Sequence, residues 1–298
     1  MFPPWLKKRI PKTSTVRVNN ILDKNRMHTV CESARCPNRS ECFSKGKATF
    51  LILGDTCSRS CTYCSISHGK PKPVDSDEPR RLADSAYFLG LKHVVITSVT
   101  RDDLPDGGAE HFSKTVDAVK KRLDGVSIEV LTPDFMGNLD SVSAVCESEI
   151  DIFNHNLETV KRLYHEVRPG ADYNRSLNIL KFVRQNYPHI LTKSGIMVGL
   201  GEDDHEVLET LNDLRKVNCD IVTIGQYLRP CQDKLEVHRF VTPDKFKYFE
   251  KYAQEIGFAY VSSGPFVRSS YNADNIIKAI KAQTHKFLAN NMSGGQGF

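Results

Sequence analysis

Residues 50–64 read FLILGDTCSRSCTYC. The apolar run 50–53 ends at Gly54-Asp55, a pair that closes a buried strand. Cys57, Cys61 and Cys64 follow at once, spaced C-x3-C-x2-C. They therefore sit on the loop beyond a strand's C-terminal end, where parallel α/β folds place their ligands. Upstream, Cys31, Cys36 and Cys42 form a second triplet, spaced C-x4-C-x5-C. Each triplet is one thiolate short of a closed site. Structural zinc takes four N or S ligands, and cubane iron–sulfur clusters usually take four cysteines. Three ligands leave one metal position for another group. Half of a zinc ribbon is a poor match, because no second C-x2-C pair follows.

Outward from this stretch, strand-like runs alternate with amphipathic ones. Residues 93–99, 127–131, 151–154, 192–200 and 220–228 have strand composition. Leu82, Ala86 and Leu89 share a helical face closed by Gly90, and Phe112, Val116, Val119 and Leu123 share another. Leu177, Leu180 and Val183 mark a third helix, ended by Tyr187-Pro188, and Leu208, Leu211 and Leu214 a fourth. Thr242-Pro243 starts a fifth with a cap residue and proline in the first turn. Six alternations at roughly 30–40 residue spacing imply parallel strands with crossover helices. The segment 50–264 has room for six or seven units, short of the ~250 residues of a closed eightfold barrel. A partial barrel and an open doubly wound sheet both fit.

The bulk composition narrows the class. Of 298 residues, 40% are hydrophobic and 26% charged, ordinary for a globular protein. No apolar run approaches the ~20 residues of a membrane span, and the basic N-terminus has no apolar signal core. A cytoplasmic location is expected, where clustered cysteines bind metal rather than pair. Cys146, Cys219 and Cys231 have no companion at ligand spacing and read as inert thiols. The net charge of +5 comes without a basic stripe interleaved with aromatics, so no nucleic-acid partner is expected.

The C-x3-C-x-aromatic-C string after the first strand of a β/α series resembles the radical S-adenosylmethionine (SAM) superfamily. That resemblance implies an α/β fold with a partial (β/α)6-type parallel barrel at 50–264. An N-terminal extension, 1–49, and a C-terminal extension, 265–298, would flank it. It also implies that Cys57, Cys61 and Cys64 bind three irons of a [4Fe–4S] cluster whose fourth iron chelates SAM. One electron from the cluster would cleave SAM to methionine and a 5′-deoxyadenosyl radical. Tyr63 matches the aromatic residue beside the adenine. Gly107 and Gly108 match the glycine-rich stretch at the methionyl end, and residues 195–199 the glycine strand that borders the adenine. Asn154, Asn156 and Glu158 end one strand, Gln226 and Tyr227 another, and both groups are expected at the SAM pocket. Arg168 is expected to meet substrate or the SAM carboxylate.

Longer strings narrow the resemblance. CESARCPNRSEC (31–42), TSVTRDDLPDGGAEHF (97–112), FNHNLETV (153–160), VRPGADYNRSL (167–177), TKSGIMVGLGE (192–202), QYLRP (226–230) and GPFVRSSY (264–271) resemble the lipoyl synthase family. The family inserts two sulfur atoms at C6 and C8 of an octanoyl chain bound to a carrier lysine. It consumes one SAM per hydrogen removed. The resemblance implies a second, auxiliary [4Fe–4S] cluster as sulfur donor, held by Cys31, Cys36, Cys42 and a serine of the Arg268–Tyr271 string. Ser270 is the expected ligand, ahead of Ser269. Beyond the clusters no catalytic side chain is expected. The implied partners are octanoylated lipoyl carrier domains, namely 2-oxoacid dehydrogenase E2 subunits and the glycine cleavage H protein. An electron donor such as flavodoxin or ferredoxin is also implied. Cys231 departs from the pattern, which has serine there. Two alternatives compete. A methylthiotransferase would carry a larger N-terminal domain and an RNA-binding module. A non-catalytic metal protein would leave the barrel-like remainder without a purpose.

Overall fold

The computed structural model describes residues 2–8, 14–274 and 276. Seven parallel strands form its centre: β1 (Thr49–Ile52), β2 (His93–Ser98), β3 (Ser127–Leu131), β4 (Ile152–Asn154), β5 (Leu191–Val198), β6 (Ile221–Gln226) and β7 (Tyr260–Gly264). Six helices alternate with them: α1 (Glu78–Leu89), α2 (Ala109–Arg122), α3 (Leu139–Cys146), α4 (Tyr173–Asn186), α5 (Asp204–Lys216) and α6 (Pro243–Glu255). Each strand pairs with the next in parallel, and His28–Thr29 pairs antiparallel with β1 on its outer side.

Strand order follows the chain without reversal. A doubly wound sheet turns back at a switch point, so the sequential order selects the barrel over the alternative. Among the described residues β7 does not pair with β1, and the barrel they form is partial. The six expected β/α units are present, and β7 adds one strand to them.

Local chemistry explains where the helices begin and end. The Thr242 side chain caps α6 with Pro243 at its first turn, and Asp203 and Glu206 form a capping box on α5. Gly90 ends α1 at φ 72°, in the left-handed region. Leu82, Phe112, Val116, Leu180, Leu211 and Phe249 are all no more than 1% exposed between helices and sheet. Each contributes about 1.5–3 kcal/mol by leaving water.

The extensions meet each other at the open side. Asn38 Nδ2 donates to the Phe266 carbonyl at 2.7 Å, Lys47 pairs with Asp274 at 2.7 Å, and the Tyr271 hydroxyl bonds Glu41 at 3.1 Å. Ala273 and Ile276 pack on Val95, Ile152 and Ile221 in a small cluster separate from the main core. These three strand residues alternate with Val94, Ile96, Phe153 and Val222, which belong to the main core, so Ala273 and Ile276 occupy the face away from the helices. The expected C-terminal extension continues to 298, and its residues 275 and 277–298 lie outside the described residues.

Candidate active site

The cysteine loop starts from a strained corner. Leu53 has φ 66°, unusual for a residue with a side chain. Its N–H donates to Glu78 Oε2 at 2.8 Å, and its carbonyl accepts from the buried Arg101 guanidinium at 3.3 Å. His111 Nε2 lies 2.8 Å from the same Glu78 oxygen. A Cβ on Gly108 would come within 2.4 Å of Leu53 Cδ1, and one on Gly107 within 2.9 Å of Phe135. Gly107 and Gly108 therefore serve close packing at the start of α2. They do not line the cavity, contrary to the expectation of a ligand contact.

Beyond the corner the loop is fixed at several points. Thr56–Cys57 pairs with Ser67–His68, and the Thr62 N–H donates to the Val167 carbonyl at 3.1 Å. Arg59 forks onto Asp102 at 2.6 and 2.8 Å and reaches the buried Asp134 at 2.6 Å. Two backbone N–H groups, of Arg59 and Thr100, point at Cys57 Sγ from 3.5 and 3.3 Å. Burial pushes the Cys61 pKa up, opposed by the positive charge of Arg168 and Arg59. Burial pushes Cys64 up to about 12.

The first triplet lies on two short helices of the N-terminal extension and the turn between them. The Thr29 side chain caps the helix that carries Cys31, and Cys42 lies on Arg39–Ser44. Cys36 N–H donates to the Cys31 carbonyl at 3.0 Å, closing the turn between them. Burial raises the Cys31 pKa to about 12, and repulsion from Cys36 and Cys42 adds to it. Cys42 rises to about 11, from burial and then Cys36. Metal coordination binds such thiols as thiolates, displacing the proton. Among the described residues no three His, Cys, Asp or Glu side chains converge on a single ion. Three thiolates in each triplet are a donor set that a [4Fe–4S] cube can take, one on each of three irons.

One cavity of about 570 Å³ joins the parts. All six cysteines line it, with Tyr63, Glu158, Arg168, Tyr227, Ser269 and Ser270. The expected glycine strand contributes Gly195, Ile196 and Met197. A Cβ on Gly195 would stand 2.7 Å from Thr223 Oγ1 and 2.9 Å from Asn156 Oδ1.

Glu158 accepts from Asn156 Nδ2 at 3.0 Å. Burial pushes its pKa up, while Arg168, Asn156 and Tyr63 favour its charged form. Arg168 is 8% exposed and forms no ion pair among the described residues. It donates to the carbonyls of Asn156 and Leu157 at 2.8 and 3.3 Å and to the Tyr164 hydroxyl at 2.5 Å. The Tyr227 hydroxyl donates to the Leu235 carbonyl at 2.8 Å.

Two expected ligand contacts lie elsewhere. Gln226 is fully buried behind the cavity, and all of its amide is spent on backbone. Its Nε2 donates to Val198, Tyr227 and Arg239 carbonyls, and its Oε1 accepts from the Val241 N–H at 2.8 Å. Asn154 is fully buried under the cavity and donates to Glu129 Oε1 at 2.8 Å and Ser269 Oγ at 2.7 Å. Ser269 is thus engaged, whereas Ser270 makes no side-chain hydrogen bond among the described residues.

Arg268 is a site residue that sequence reading passed over. It lines the cavity, and the charges of Cys36 and Glu158 act on it. It stood in the quoted Arg-Ser-Ser-Tyr string, but spacing gave no sign that it lies beside the first triplet and Glu158. Arg59 was missed in the same way, although it lies between two cluster cysteines.

Comparison with known proteins agrees with this geometry. The Radical SAM superfamily model matches residues 51–214. A lipoyl synthase of Caldanaerobacter subterraneus subsp. tengcongensis is 56% identical over 91% of this chain and 95% of its own length. One of Neisseria meningitidis serogroup B is 49% identical over 95% of this chain and 87% of its own. Among solved structures, Streptococcus suis SuiB bound to S-adenosylmethionine shares the fold at TM-score 0.57 and 11% identity. That match covers 72% of this chain and 49% of SuiB, so this chain spans about half of that protein. The chain belongs to the lipoyl synthase family of radical SAM sulfur-inserting enzymes.

Proposed function

We propose that the cavity holds two [4Fe–4S] clusters. One sits on Cys57, Cys61 and Cys64 with SAM at its open iron, and the other on Cys31, Cys36, Cys42 and Ser270. When bound, they supply the electron that cleaves SAM and the two sulfur atoms that enter the octanoyl chain. The observation that carries the reading is that both triplets and Ser270 line one cavity. Chemistry started at one cluster and sulfur held at the other must share a single substrate chain.

The protein's part is position and charge. An octanoyl chain has no group beside C6 or C8 to stabilise a carbanion, so a side-chain base has nothing to work on. Leu51, Leu131, Ile196 and Met197 give the cavity apolar wall suited to a hydrocarbon. Buried thiolate clusters carry negative charge, and each triplet has an arginine beside it: Arg168 at Cys61 and Arg268 at Cys36. Tyr63 and Glu158, side by side, offer an aromatic face and a hydrogen-bond acceptor to SAM. Ser270 is the better ligand of the two serines because Ser269 is already bonded to Asn154 and Asn156. A serine oxygen is a harder match to iron than thiolate, which suits a cluster that must give up its sulfur.

The partners proposed here follow from charge. Lys8, Arg35 and Arg229 lie around the cavity and suit an acidic carrier domain bearing the octanoyl-lysine. Such a carrier, and an electron donor of the flavodoxin or ferredoxin type, would be met in the cytoplasm. Among the described residues no helix is long and apolar enough to cross a membrane. The test is iron content after anaerobic reconstitution. The proposal expects about eight irons per chain, as two four-iron clusters. Fully active protein with only four would remove the auxiliary cluster.

A further inference from the structure

The centre of the barrel holds an ion pair that the cavity does not reach. Lys193 on β5 donates to both oxygens of Glu129 on β3, at 2.8 and 2.9 Å, and both residues are fully buried. Barrel interiors are ordinarily filled by branched apolar side chains. A buried ion pair is often no more stable than an apolar pair of similar volume, so stability alone does not explain this one. His93 on β2 stands 3.7 Å from the same carboxylate. Burial pushes the Glu129 pKa up, but Lys193 and His93 outweigh it and hold the group at about 2. Glu129 is therefore a carboxylate that only accepts hydrogen bonds.

That acceptor sets the direction of every bond beyond it. Asn154, on β4 between the two charged strands, gives one N–H to Glu129 and the other to Ser269 Oγ. Having accepted there, the Ser269 hydroxyl donates to Asn156 Oδ1 at 3.1 Å. Asn156 Nδ2 then donates to Glu158 in the cavity wall at 3.0 Å. The series runs from the barrel centre through the C-terminal segment to the cavity. Among the described residues no other strand side chain hydrogen-bonds to residues 265–274. Apart from the Ser269–Asn156 bond, the other side-chain hydrogen bonds between that segment and the rest of the described residues are with Asn38, Glu41 and Lys47 of the N-terminal extension.

We propose that Asn154 is a positioning residue: fixed by the Glu129–Lys193 pair, it holds Ser269 and so locks residues 265–274 into the barrel, leaving the Ser270 hydroxyl free. The anchoring stands on these bonds alone. Its consequence for iron rests on the assignment of Ser270 to the auxiliary cluster.

Hydrogen exchange in the full chain tests the two separately, first without iron and then after anaerobic reconstitution. Asn154→Leu removes both donors at similar volume, and exchange in 265–274 should rise about tenfold while β1–β6 are unchanged. Ser269→Ala should do the same without touching the ion pair, which covers the case in which Asn154→Leu does not fold. Ser269→Thr keeps a hydroxyl and should retain protection. After reconstitution, both disruptive variants should release more 5′-deoxyadenosine per sulfur inserted than the parent. Unchanged exchange in 265–274, or faster exchange spread evenly over the barrel, would overturn the anchor. Faster exchange there with iron content and the product ratio unchanged would overturn the link to Ser270.

Discussion

At the scale of single residues, the six cysteines were legible because thiolate spacing is itself the chemistry. Two triplets, each one ligand short, could be read without knowing the fold. The residues around them could not. Asn154 and Glu158 sit four apart at one strand end, yet one lies beneath the cavity and the other in its wall. Gln226 and Tyr227 are neighbours, and only Tyr227 faces the cavity, because successive strand residues point to opposite faces. The assignment of the two triplets makes a sharp prediction. Cys31→Ala should block sulfur insertion while 5′-deoxyadenosine is still formed, and Cys61→Ala should abolish both by at least about a hundredfold, as loss of a metal ligand does. Product analysis under anaerobic, reducing conditions checks it. The reverse pattern would exchange the roles of the triplets.

At the scale of elements, long periodic stretches were readable and short ones were not. The faces of α1, α2, α4, α5 and α6 show in the spacing of their apolar residues. α3 has eight residues and only Val142, Val145 and Cys146 among its buried apolar side chains, so its face is too brief to show as a period. Its start is set instead by Asn138, whose side chain accepts from the Asp140 and Ser141 N–H groups. Gly107 and Gly108 were read as ligand contacts, and sequence does not reveal which side chain a missing Cβ makes room for. Those side chains are Phe135 for Gly107 and Leu53 for Gly108, and the corner that Leu53 forms launches the cysteine loop. Gly108→Ala, at φ 92° and with Cβ 2.4 Å from Leu53, should cost about 1–3 kcal/mol of stability. Chemical denaturation of the iron-free chain measures this. The same variant should weaken SAM binding by displacing the loop, whereas an equal loss at a site remote from Leu53 should not.

At the scale of the whole molecule, the alternation of strands and helices left two architectures open. Sequential strand order decided between them, and nothing in a single sequence encodes that order directly. The open side of the barrel explains why the extensions belong to the site. Asn38 and Lys47 reach Phe266 and Asp274, so the segment carrying Ser269 and Ser270 is held from the barrel by Asn154 and from the other side by the N-terminal extension. Both triplets line one cavity, and residues 266–271 of the C-terminal segment line it with them. The most direct measurement of that claim is mass spectrometry of an octanoyl-lysyl peptide after anaerobic incubation with the reconstituted protein, SAM and reductant. A gain of two sulfurs with loss of two hydrogens, and two 5′-deoxyadenosines released per product, is the predicted result. Release of 5′-deoxyadenosine with no sulfur entering the peptide, from protein carrying both clusters, would contradict it.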